Sequence, residues 1–131
     1  MMKSLAFFLQ IPFSRRQHKA RAGRDDVTRE RFIAALAADD VEMLAAGILW
    51  DKLVEVAVVP DFRPEPEDDF TYLYGLADED LDEDIIMGLL NELELPLPSI
   101  KTVGGIGPIK SPRLLMSLVG AARRAANGSK N

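Results

Sequence analysis

The densest chemistry in the chain is acidic. Six carboxylates fall within seven residues, Asp78-Glu79-Asp80-Leu81-Asp82-Glu83-Asp84. The Asp78-x-Asp80-x-Asp82 spacing matches the opening of a calcium-binding loop. The match stops there. Its sixth position is Glu83, where the loop needs glycine for its turn, and its twelfth is Leu89, where it needs a bidentate glutamate. No metal site is therefore assigned.

A second stretch invites phosphate chemistry, Gly104-Gly105-Ile106-Gly107-Pro108-Ile109-Lys110-Ser111. A phosphate-binding P-loop needs glycine directly before Lys-Ser, and Ile109 stands there. A helix–hairpin–helix turn, which offers backbone N–H groups to a DNA phosphate, fits Gly105-Ile106-Gly107 better, with Lys110 and Arg113 adding charge. The prolines at 96, 98 and 112 crowd the flanking helices that such a hairpin requires.

Catalytic groups are sparse. There is no cysteine, which excludes disulfides, thiol catalysis and iron–sulfur ligation. The single histidine, His18, lies in a basic segment and is expected in solvent. No serine sits in a nucleophile elbow, and no carboxylate pair is singled out for acid–base work. The sequence reads as a non-enzyme that needs no cofactor.

Charge is laid out in three blocks. Residues 1–24 carry six Lys or Arg and no acid. Residues 25–94 carry all 21 acids and four basic residues, and residues 95–131 carry six basic residues and no acid. From Glu65 to Glu94 there are 12 acids without a Lys or Arg. Such a run attracts a basic partner. Nucleic acid is the less favoured partner, because the net charge is −5.

These residues need elements to position them. At 131 residues the chain fits one domain. Residues 1–24 read as a basic arm whose phenylalanines dock on the domain, or as a basic-amphipathic patch for a membrane surface or an acidic partner. No secretory signal and no transmembrane segment is read, so the expected compartment is cytoplasmic. Residues 28–38 predict a helix capped by Asp25 or Asp26. A second helix, capped by Asp39 or Asp40, runs from Val41 into Val56–Val59, with Leu44, Ile48, Leu49, Leu53 and Val56 on its core face and Trp50 beside them. Pro60 ends it. A proline-rich loop follows, and Phe70–Tyr74 forms an aromatic turn. The acidic string opens a helix capped by Asp78 or Asp80, with Leu81, Ile85, Leu89 and Leu93 inward and Ile86 and Leu90 widening that face. Pro96 and Pro98 close it, and 99–110 reads as loop. Ser111-Pro112 starts a last helix, and Asn127-Gly128 ends it. A bundle domain at 25–127 and a disordered tail at 128–131 follow from this division.

Over 49–122 the order of features resembles the acyl carrier protein family: a first helix, a long loop, an acidic second helix, a short helix and a last helix. Asp80-Leu81-Asp82-Glu83-Asp84-Ile85-Ile86-Met87-Gly88-Leu89-Leu90 resembles that family's second helix, Leu95-Pro96-Leu97-Pro98 its end, and Ile109-Lys110-Ser111-Pro112-Arg113-Leu114-Leu115 the start of its last helix. The family's Asp-Ser-Leu signature is Glu79-Asp80-Leu81 here, so the serine that carries phosphopantetheine is missing. The resemblance implies an all-α bundle of about four helices, and the basic N-terminal arm read from the charge layout stands in front of it. The resemblance also implies a non-enzymatic module that meets a basic protein through its second helix. Asp78, Asp80, Asp82, Glu83, Asp84 and Met87 are the candidate contact residues. An immunity-protein or antitoxin-type inhibitor of a basic enzyme would use the same face.

Overall fold

The computed structural model describes residues 2–128, with side chains from Pro12 to Gly128. Every regular element among them is helical and none is a strand, as the all-α reading requires. Residues 129–131, most of the expected tail, lie outside the described residues.

The first helix, α1 (Met2–Ala22), departs from the sequence reading, which has an arm here. Pro12 stands inside it, where proline removes a ladder bond and costs about 3 kcal/mol. Tertiary anchors explain why its second half is nevertheless ordered. The Phe13 ring lies against Gly75, leaving no room for a Cβ there. The Gln17 side chain is fully buried. Its Nε2 donates to the Leu73 carbonyl (3.0 Å), and its Oε1 accepts from the Val58 and Val59 N–H groups (2.9 and 3.2 Å).

Helix α2 (Arg29–Leu36) is capped by Thr28, which accepts from the Arg31 N–H. Asp25 and Asp26 were the expected caps, but the Asp25 carboxylate is engaged by Arg21 at 2.8 Å. Helix α3 (Asp40–Val56) has the expected Asp39 cap. The Asp39 side chain accepts from the Glu42 N–H, while Glu42 Oε1 accepts from the Ala38 N–H.

Two features of α3 differ from expectation. It ends at Val56, before Pro60, because the next N–H groups, at Val58 and Val59, turn to the Gln17 carbonyl oxygen. Its inward face is Ala45, Ala46, Leu49 and Leu53, whereas Leu44 is 59% exposed. Trp50 meets Phe32 edge-on, 5.3 Å between centroids, at the margin of the core.

The aromatic turn is a short helix, α4 (Phe70–Tyr74). Asp69 caps it, and Gly75 stops it at φ 72°, a left-handed conformation that glycine adopts without strain. The acidic helix, α5, is continuous through Asp78–Asp80, a π-helical stretch Leu81–Met87, and Gly88–Glu92. Ala77 occupies its N-cap position with no side-chain bond, so neither Asp78 nor Asp80 is the cap. Leu81, Ile85, Ile86, Leu89 and Leu90 are buried as the spacing requires, and Leu93 is half-buried. The helix ends at Glu92, ahead of Pro96, through Glu94 at φ 56° and a Leu95 N–H to Leu90 carbonyl bond of 2.9 Å.

The segment read as loop at 99–110 contains helix α6 (Ile100–Ile106). Ser99 caps it by accepting from the Thr102 N–H, which offsets the low helix propensity of Gly104 and Gly105. Helix α7 (Pro112–Gly128) starts as expected, with the Leu114 N–H on Ser111 Oγ. Leu115, Leu118, Val119 and Ala122 of α7 meet Phe32, Leu49, Leu53, Phe62, Phe70 and Leu90 in one hydrophobic core.

Candidate functional site: the acidic helix and its groove

Four arginines of the two basic end blocks, with Arg29 and Arg63 of the acidic block, pair with acids between 25 and 68. Arg21 pairs with Asp25 and Asp61, each at 2.8 Å. Arg24 grips Asp68 through two bonds, 2.9 and 2.6 Å, and reaches Glu65 at 3.3 Å. Arg29 holds Asp51, Arg113 holds Glu67, and Arg123 holds Asp39. Asp68 is only 6% exposed, and its Oδ2 also accepts from the Glu65 N–H and the Tyr74 hydroxyl, both at 2.9 Å.

Titration follows these contacts. A backbone bond from Glu42 and the Arg123 guanidinium hold the Asp39 carboxyl below its usual range. Arg21 first, and Arg63 second, do the same for Asp61. Burial, with Asp68 alongside, pushes the Tyr74 phenol far above its usual value.

The α5 carboxylates stand apart from this network. Asp78, Glu79, Asp80, Asp82, Glu83 and Asp84 are all exposed. Among the described residues none of them lies within ion-pair distance of a cation, whereas eight acids between Asp25 and Asp68 do. Six adjacent carboxylates at a helix start suit the helix dipole and concentrate negative potential on one surface.

The π-helical winding divides the candidate contact residues between two sides. Asp78, Asp82 and Met87 face a groove of about 690 Å³ between α5 and α6. Asp84 faces α3, beside Ile48, Lys52 and Glu92. Asp80 and Glu83 lie on neither side and project into solvent.

The groove has an apolar floor. Leu81 and Ile86 come from α5, Leu97 and Pro98 from the connection, Ile100 and Val103 from α6, and Leu118 from α7. No residue of α6 is fully buried, and Ile100 is 93% exposed. Asp78, Asp82 and Lys110 are the charged residues of the lining. The groove is not legible in the sequence, whose glycines predict loop over 99–110 where α6 forms one wall. The exposed-apolar pattern Leu97, Ile100, Val103 was the available signal.

Gly105 and Ile106 of the expected Gly105-Ile106-Gly107 turn lie inside α6, and the connection to α7 begins at Gly107. Arg113, expected to add charge there, pairs with Glu67 on the surface. His18 is exposed. No group of three or more His, Asp or Glu among the described residues is arranged to hold a metal ion. No described helix is long and apolar enough to cross a membrane. Comparison with protein-family models, with curated proteins and with solved structures finds no match to this chain.

Proposed function

We propose that this protein is a non-enzymatic interaction module that binds a basic partner protein through the acidic helix α5. The observation that carries this reading is the contrast in pairing. Of the twelve acids from Asp25 to Asp68, eight are paired with arginines, whereas none of the six from Asp78 to Asp84, all exposed, lies within ion-pair distance of a cation among the described residues. Desolvating or crowding unpaired carboxylates is unfavourable unless cations meet them, so this face selects a basic surface. Met87 and Ile86 beside the carboxylates supply apolar contact once the charges have steered the partner in.

The helix order also supports a carrier-like reading. Helix α3, the long connection, α5, α6 and α7 follow one another as the acyl carrier resemblance implies. Asp80 stands where that family has its attachment serine, so the activity in view is docking without phosphopantetheine. Affinity for the partner is expected to fall roughly tenfold or more between low and physiological salt. It is expected to fall comparably on Asp80→Lys with Glu83→Lys. Binding that ignores both salt and charge reversal contradicts the reading.

A further inference from the structure

We infer that the α5–α6 groove receives an amphipathic helix of the partner, its apolar face on the groove floor and its Lys or Arg residues against Asp78 and Asp82. This rests on the reading of α5 as a docking face and adds what the partner must bring to it.

The groove is of a size to bury one face of a short helix or a drug-sized molecule. Its floor is aliphatic, from Leu81, Ile86, Val103 and Leu118, so the occupant must present a continuous apolar stripe. Both walls are helices, and the described residues contain no strand, so no sheet edge is offered for an extended peptide to join. Helix-in-groove docking is the recognition mode that these walls allow.

Charge then selects among apolar occupants. Asp78 and Asp82 line the groove, with Lys110 the one cation of the lining. Glu79, Asp80 and Glu83, exposed on the same helix, add negative potential at its rim, whereas Asp84 faces α3 beside Lys52. A free fatty acid would bring its carboxylate into a field of its own sign. A second copy of this chain would bring a second α5 against the first. A helix with lysine or arginine flanking its apolar stripe satisfies floor and rim together.

Room for the occupant is visible at the α6 wall. A Cβ placed on Gly104 meets nothing within 4 Å, and Gly104 lines the groove. Gly104 is helical, so a larger residue there obstructs the groove without backbone strain. By contrast, the exposed apolar patch of Met43 and Leu44 with Ile33 has Arg29 as the charged residue of its lining, and Asp51 already engages Arg29. That patch offers no comparable selectivity.

The test uses the full chain and three synthetic peptides of about 15 residues. One has leucine at i, i+3, i+4 and i+7 with lysine elsewhere. The second has the same composition with the leucines scattered. The third replaces lysine by glutamate. Binding is read by fluorescence anisotropy, and the site by amide chemical shifts. The patterned lysine peptide is expected to bind at least tenfold more tightly than the scattered one and to shift the Met87, Val103 and Lys110 amides. Gly104→Phe is expected to remove that advantage, and Asp78→Asn with Asp82→Asn to weaken binding severalfold. Circular dichroism of both variants checks that the fold is retained.

Equal binding of patterned and scattered lysine peptides, unaffected by Gly104→Phe, overturns the groove inference and leaves the acidic docking face standing. Absence of binding by either lysine peptide counts against both. Equal binding of the glutamate peptide overturns the charge selection. Shifts at the groove with an uncharged aliphatic alcohol but not with the patterned peptide make the groove a small-molecule pocket and overturn the helix.

Discussion

Arg24 and Asp68 stand 44 positions apart in sequence and meet through two hydrogen bonds, one from each terminal nitrogen of the guanidinium. The pair joins the end of the basic N-terminal block to the start of the acidic run and is largely shielded from water. It also marks a change along the acidic run: Glu65, Glu67 and Asp68 are ion-paired, whereas Asp78 to Asp84 are exposed and lie outside ion-pair distance of any described cation.

Asp68→Ala is expected to destabilise the protein by about 2–3 kcal/mol, since the Tyr74 hydroxyl and the Glu65 N–H lose their acceptor, while Arg24 keeps Glu65 and the Arg63 carbonyl. Urea unfolding of the variant measures this. A double substitution, Arg24→Met with Asp68→Leu, is expected to recover part of the loss.

Gln17 plays the corresponding part for α1. Gln17→Ala leaves the buried Val59 N–H, the part-buried Val58 N–H and the Leu73 carbonyl without this partner, at a cost of about 2–4 kcal/mol. Amide exchange at Val58 and Val59 is expected to accelerate in this variant, whereas amides in α7 follow only the global loss of stability.

The pH profile has two limbs. Asp39 and Asp61 titrate below the ordinary carboxyl value of 3.8 in the folded protein. Their contribution to stability is complete above that value and is lost as pH falls below it. Tyr74 titrates above the ordinary 10.0, so the folded state keeps a proton that the unfolded chain releases. Stability is therefore expected to fall as pH rises above 10. Asp39→Asn should flatten the acid limb and Tyr74→Phe the alkaline limb, each measured by thermal unfolding across pH.

Two glycines give opposite expectations. Gly75 has φ 72°, and a Cβ there would lie 2.8 Å from the Phe13 ring. Gly75→Ala is expected to cost about 1–3 kcal/mol and to loosen α1. Gly104 lies in α6 with open space around it. Gly104→Ala is expected to add about 0.4–1 kcal/mol. Denaturant midpoints of the two variants should move in opposite directions.

The all-α fold and the acidic helix were legible because their signals are local. Leu81, Ile85 and Leu89 repeat at helical spacing, Asp39 caps α3, and Ser111-Pro112 opens α7. What was missed depends on distant partners. Nothing near Pro12 announces that Gln17 will bond to Leu73, 56 positions away, or take the N–H groups that would otherwise have prolonged α3. Leu44 fits the spacing of a core position, yet the core takes Ala45 and Ala46, because close helix approach favours small side chains there. The groove was hidden for a related reason. Its lining runs from Thr71 to Leu118, and the Ser99 cap that makes its second wall helical is outweighed, on propensity alone, by Gly104 and Gly105.

A nuclease-treated pull-down at low salt, read by mass spectrometry, decides whether the open carboxylates of α5 are a recognition surface, with the unmodified chain and the Asp80→Lys, Glu83→Lys variant as paired baits. A small set of basic proteins is expected on the first bait and lost from the second. The same set on both baits, or none on either, makes the acidic helix a solvated surface and overturns the docking role.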